Sequence, residues 1–133
     1  MGQGVSSNMI EICSRSFGIP VSRIKSNSTN TSRIANISPS AASATTDLNG
    51  NATLIACNKI LDGMKQVAAK DLGCDSSAIS IKDAKVLRDG SDTGLSWSEL
   101  VSKTYISRVP LMAHGFYTPP NIHFDGVKGY GRP

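Results

Sequence analysis

The chain reads as an α+β fold, two or three helices packed on a small mixed sheet, and three features of its sequence lead there. Helical spacing recurs in two stretches: Val5, Met9, Ile12 and Ser16 share one line, and Leu54, Cys57, Leu61, Met64 and Ala68 share another. Short β-type runs, Ile79-Ser80-Ile81 and Val86-Leu87, precede an Asp89-Gly90 turn signal. Ser96-Trp97-Ser98-Glu99 has the spacing of a capping box, in which a hydroxyl and a carboxylate satisfy each other's backbone amides.

The first helix is expected over residues 7–17, with Cys13 and Phe17 widening its stripe, Gly18 ending it and Pro20 just beyond. Residues 22–26 read as extended, and the Ser/Thr/Asn stretch 26–36, which has no apolar period, reads as a polar loop. The second helix is expected over residues 39–70. Ser38 is its N-cap and Pro39 its first residue, where a missing N–H is no loss. Ile60 and Val67 broaden its inner line. Gly50 and Gly63 within it each cost about 1 kcal/mol relative to Ala, so they mark close backbone packing or a local break. The helix should end near Leu72-Gly73. At the capping box, Leu95 and Leu100 form the hydrophobic staple, Trp97 packs, and Leu100, Val101, Thr104 and Tyr105 make the inner face. Residues 109–116 should be a strand and residues 118–133, rich in Gly and Pro, a loop-like tail.

At 133 residues, 39% hydrophobic and 5% aromatic, the chain is one domain's worth with a lean core. No internal repeat or linker divides it. We expect residues 1–133 to be a single partial domain, a fragment of a much larger chain, because both ends look abrupt. The net charge is +4, but the 14 basic residues are scattered and not interleaved with aromatics, so no nucleic-acid partner is expected. Cys13, Cys57 and Cys74 are widely spaced without a C-x-x-C pair, which argues against a disulfide framework or zinc site and for a reducing compartment. With no leader and no apolar run of the roughly 18 residues a span requires, a cytoplasmic protein without a membrane partner is expected. His114 and His123 have no third ligand spaced to join them, and no G-x-S-x-G elbow is present.

The run Ser38-Pro39-Ser40-Ala41-Ala42-Ser43-Ala44-Thr45-Thr46-Asp47-Leu48-Asn49-Gly50 combines a helix start with small side chains and closely spaced hydroxyls. Free amides at the positive end of a helix dipole favour an anion, and small residues let it come close. Asp47 either complements that dipole or adds polarity to the site.

Together with Met1-Gly2-Gln3-Gly4, the Thr-rich stretch ending at Asn36, and Gly115-Phe116-Tyr117, this run resembles the molybdenum hydroxylases, specifically the molybdopterin-binding part of xanthine dehydrogenase. The likeness covers essentially the whole chain, with the motifs in the same order. It implies an oxidoreductase parent, an enzyme of purine metabolism that hydroxylates a purine such as hypoxanthine or xanthine with oxygen from water. Its cofactors would be molybdenum-molybdopterin here, and FAD and 2Fe-2S clusters on other domains or subunits; the remainder of the parent chain or complex would be the partner. By the same resemblance Gln3 binds the molybdopterin, Gly2 and Gly4 admit its close approach, and Ala41, Ser43, Thr45 and Thr46 hold the pterin or its phosphate. Ala42 would lie against the molybdenum. No catalytic residue is expected, since the family's base glutamate is absent, and the isolated chain should be inactive. Ser7-Asn8 departs from the family's usual Thr-Lys, and Thr118 from the residue often found after Gly-Phe-Tyr. The alternatives are an aldehyde oxidase-type parent and a stand-alone binding module descended from such a domain.

Overall fold

A computed structural model describes residues 3–27, 30, 32, 40–41, 43–120, 123–127 and 129–132. Three helices, α1 (Val5–Phe17), α2 (Ala44–Leu72) and α3 (Trp97–Ile106), accompany β1 (Ile79–Lys82), β2 (Lys85–Arg88) and β3 (Ser91–Ser96) in an open three-stranded sheet ordered β1-β2-β3. Both pairings are antiparallel, with Ile79 opposite Arg88 and Arg88 opposite Ser91. The α+β class holds, but the sheet is antiparallel where a mixed one was expected. Two-residue turns join its strands, and such turns cannot join parallel neighbours. Asp89 and Gly90, at φ 48° and 81°, make the anticipated turn.

The core lies where the C-terminal half of α2 meets the sheet and α3: Met64, Ala68, Ala69, Ile79, Val86 and Leu100 form one buried cluster. Its burial follows the helical line read from the sequence through Cys57, Leu61, Met64 and Ala68. Leu54 leaves that line, 41% exposed. Buried Thr104 is satisfied by donating to the Leu100 carbonyl at 2.7 Å, and among the described residues no buried side-chain nitrogen or oxygen lacks a partner.

Local signals resolve as the sequence indicated at several points. Gly18 closes α1 at φ 62°, donating to Ser14 O. Gly73 closes α2 with φ 62° and a bond to Ala69 O. At α3, the Glu99 amide donates to Ser96 Oγ at 3.3 Å while Ser96 N donates to Glu99 Oε2 at 2.8 Å. The Ser96 hydroxyl, then its amide, hold the Glu99 carboxyl below its ordinary range. Trp97 packs on Phe17 with ring centroids 5.4 Å apart. Ser96→Ala removes one half of the box and should cost about 1 kcal/mol in chemical denaturation; an unchanged midpoint would show that α3 is held by packing alone.

Other expectations are corrected. The α2 helix begins at Ala44, not Pro39: Ser40 and Ala41 are non-helical, and Ser43 is the N-cap without a side-chain cap bond. Ser40 donates its hydroxyl to Thr45 Oγ1, tying the residues before the helix to its first turn. The expected cap, Ser38, and Pro39 lie outside the described residues. Of the stretch 22–26 expected to be extended, Ser22 and Arg23 belong instead to a single 3-10 turn, Val21–Arg23, with Arg23 N donating to Pro20 O, while Ile24 is extended at φ -107° and ψ 129°. Tyr105 is 72% exposed, since the inner face of α3 is filled by Leu100, Val101 and Thr104. Strand β3 was not foreseen. Within the tail read as loop, β4 (His123–Asp125) pairs antiparallel with β5 (Tyr130–Arg132).

Residues 109–116 belong to no strand ladder. They do run extended along α2, from Val109 beside Gly63, through the His114 carbonyl that accepts from Lys59 Nζ at 3.0 Å, to Gly115 against Ala52 and Ala56. A second stripe of α2 is thereby covered, Ala52, Ala56, Lys59 and Gly63 at helical spacing. Gly63 marks close packing, and so does Gly50, where an added Cβ would stand 2.9 Å from Ile12 Cδ1.

Candidate functional site

Helices α1 and α2 lie side by side and run in the same direction. Asn8 reaches Thr46, Met9 reaches Thr53, and Cys13 reaches Cys57, so contacts ascend both helices together. Both N-termini therefore lie at one end of the pair, and the positive ends of two helix dipoles add there. Small Gly50 permits the approach by admitting Ile12 and Met9. The Cys13–Cys57 contact, 3.8 Å between sulfurs, is a thiol pair; burial first, then Cys13, pushes the Cys57 thiol up to about 12, so it stays protonated at neutral pH.

At that shared end a groove of about 830 Å³ opens. Its polar lining is Gln3, Asn8, Ser43, Thr46, Asp47 and Asn51, and its apolar floor includes Val5, Ile12 and Leu54. Exposure of Leu54, the residue that strayed from the core line, follows from this position. Gln3, from the Met-Gly-Gln-Gly motif, thus stands across one groove from Ser43 and Thr46 of the Ala-Ala-Ser run. Gly4 is the N-cap of α1, at φ 70°, and its carbonyl accepts from Asn8 N at 2.9 Å. Asn8 Nδ2 donates to Thr46 Oγ1 at 3.2 Å, tying the two motifs together. Among the described residues expected at the site, Gly4, Ala41 and Thr45 do not line the groove; Thr45 Oγ1 accepts instead from Ser40. Gly2 and Ala42 lie outside the described residues.

Asp47 is the single carboxylate among the described lining residues, and Asn51 Nδ2 donates to its Oδ1 at 3.0 Å and to its carbonyl at 2.9 Å. In the first turn of α2 it complements the dipole. Asn8 and Asn51 were missed as site residues. Asn51 lies one turn beyond Asp47, a spacing that could have flagged it, whereas Asn8 is marked only by its departure from the family's Lys. Among the described residues, no group of three His, Cys, Asp or Glu is placed to hold a metal ion, and no helix is long and apolar enough to cross a membrane.

The groove's size lies within the range of about 300–1,000 Å³ typical of cofactor pockets, and its chemistry is that of a site for a bulky anion. Apart from Asp47, whose charge faces the α2 dipole and accepts from Asn51, neutral carboxamides and hydroxyls line it beside two helix N-termini, with an apolar floor to take a ring system. These features fit a molybdopterin. The chain belongs to the molybdopterin cofactor-binding domain family, which matches it over residues 1–133. It is similar to xanthine dehydrogenase of Oryza sativa subsp. japonica, 36% identical over 133 residues, covering 100% of this chain and 8% of that protein. Xanthine dehydrogenase 1 of Arabidopsis thaliana is 34% identical over 131 residues, covering 98% and 8%. Xanthine dehydrogenase/oxidase of Felis catus is 34% identical over 133 residues, covering 100% and 8%. The chain thus spans 8% of the length of these relatives.

Proposed function

We propose that the chain is the part of a purine-hydroxylating, xanthine dehydrogenase-like oxidoreductase that cradles the molybdopterin, working with the remainder of a longer cytoplasmic polypeptide or complex. The observation that carries this reading is the groove uniting Gln3 with Ser43 and Thr46 at the joined N-termini of α1 and α2. The purine substrate follows from the likeness to proteins named xanthine dehydrogenase.

In this reading the Gln3 carboxamide and the Ser43 and Thr46 hydroxyls bind the pterin or its phosphate. The free amides of Ala44, Thr45 and Thr46 face no earlier turn, so they contribute positive potential at the groove. Val5, Ile12 and Leu54 exclude water from one face of the ring system. Ala42 keeps bulk away from the metal. When bound, the cofactor supplies the hydroxylation of a purine carbon with water-derived oxygen, the electrons leaving through 2Fe-2S clusters and FAD held elsewhere. The chain alone, without a base for that reaction, is inactive, and residues 1–133 form a single partial domain of the whole.

Gln3→Ala in the full-length polypeptide should lower its molybdenum content, while Ala42→Phe should retain metal and lose purine turnover. Both variants keeping wild-type metal and turnover would overturn the reading.

A further inference from the structure

Residues 109–120 show a strict two-residue alternation without a sheet. Val109, Leu111, Ala113, Gly115, Tyr117 and Pro119 are half-buried toward the body, whereas Pro110, Met112, His114, Phe116, Thr118 and Pro120 are exposed. That period belongs to a strand, in which successive side chains take opposite faces. A coil held only by its side chains has no reason to keep it over twelve residues. Yet among the described residues, the only main-chain atom of 110–120 with a hydrogen-bond partner is the His114 carbonyl, which accepts from Lys59 Nζ. Strand amides and carbonyls alternate between two edges, so both edges of this segment offer open donors and acceptors. Its outer face is apolar as well: Met112 is 77% exposed and Phe116 85%, unusual exposures for large apolar side chains two places apart on one strand face.

We infer that residues 109–117 are one strand of a larger sheet, completed by an extended strand from the remainder of the longer polypeptide, which pairs along this edge and covers Met112 and Phe116. The occupant follows from the 8% of the relatives' length that the chain spans: most of such a polypeptide lies outside these residues and would be covalently available at high effective concentration. The inner face is already spoken for by α2, which fixes the segment's path and leaves only its edges and outer face to recognise a partner. Main-chain pairing would provide the affinity and the Met112 and Phe116 side chains the register. The inference rests on the chain being a segment of a longer protein, as proposed above.

Amide hydrogen exchange tests it, measured on the 133-residue chain and on the full-length polypeptide, with molybdenum content determined on the same full-length sample. Amides of residues 111–116 should exchange close to unprotected rates in the short chain and about 100-fold slower in the long one. Fast exchange in both, with α2 protected in both, overturns the inference. Protection already present in the short chain also overturns it, and a concentration-dependent dimer would then identify a second copy as the occupant. Met112→Pro supplies an independent check. It removes an amide without a described partner, so it should leave exchange in the short chain unchanged and abolish most of the added protection in the long one. Protection without molybdenum would refute the cofactor reading and leave the strand standing; molybdenum without protection would do the reverse.

Discussion

Gly115→Ala is expected to lower the thermal midpoint by about 10 °C or more and to detach the Gly-Phe-Tyr segment from α2. A Cβ at this position would stand 1.7 Å from the Ala52 carbonyl oxygen, 2.6 Å from its carbon and 3.1 Å from Ala56 N. All three are backbone atoms in the middle of a regular helix, so none can swing aside as a side chain would. The segment must lift instead. Lifting separates the His114 carbonyl from Lys59 and uncovers Leu111, which packs against the core. Gly63→Ala is the matching control on the same stripe. Its Cβ would meet Val109 Cγ1 at 2.8 Å, a side-chain tip that can move, and the gain of about 1 kcal/mol in helix propensity offsets the adjustment. Calorimetry on the two variants separates the cases, and a Gly115→Ala protein as stable as wild type would show that the segment does not lie on α2.

The second large effect is expected at Gly18. Alanine there meets two costs: a left-handed φ of 62°, worth about 1–2 kcal/mol for a residue with a Cβ, and a Cβ only 2.3 Å from the Ile81 carbonyl oxygen. The site is a junction. Gly18 ends α1, and its carbonyl accepts from the amide of Ala84, at the tip of the β1–β2 hairpin, at 2.8 Å. Displacing it moves the helix end and the hairpin apart together. Gly73→Ala isolates the first cost, because Gly73 has the same φ of 62° with nothing within 4 Å of its Cβ. Denaturant titration should show about 1 kcal/mol lost at Gly73 and about 3 kcal/mol or more at Gly18. Equal losses would mean that the hairpin yields freely and that the contact is not rigid.

The hairpin tip also shows why some of the fold escaped sequence reasoning. Asp83 and Ala84 occupy positive φ, 51° and 57°, with no Gly or Asn to announce a turn. Ala84 is held there by long-range bonds, its amide to Gly18 O and its carbonyl from Trp97 N at 2.9 Å. Such bonds join residues far apart in sequence and leave no local signature.

What the sequence by itself determined is what adjacent residues decide among themselves. Gly18 and Gly73 stop helices because they accept a left-handed φ, Ser96 and Glu99 cap each other three residues apart, and the line from Cys57 to Ala68 meets the core every turn. The ordered motifs that mark the family are likewise a property of the chain alone. Only the tertiary structure decided that α1 and α2 run parallel, so that Gln3, Ser43 and Thr46, forty residues apart along the chain, share one groove. It also decided that Leu54 faces that groove while its helical neighbours face the core, and that residues 109–120 take a strand's alternation without a strand's ladder. The physical reason is the same in each case. Caps and turns are satisfied within a few residues, whereas helix direction, groove lining and strand pairing depend on which distant backbone and side chains come within reach.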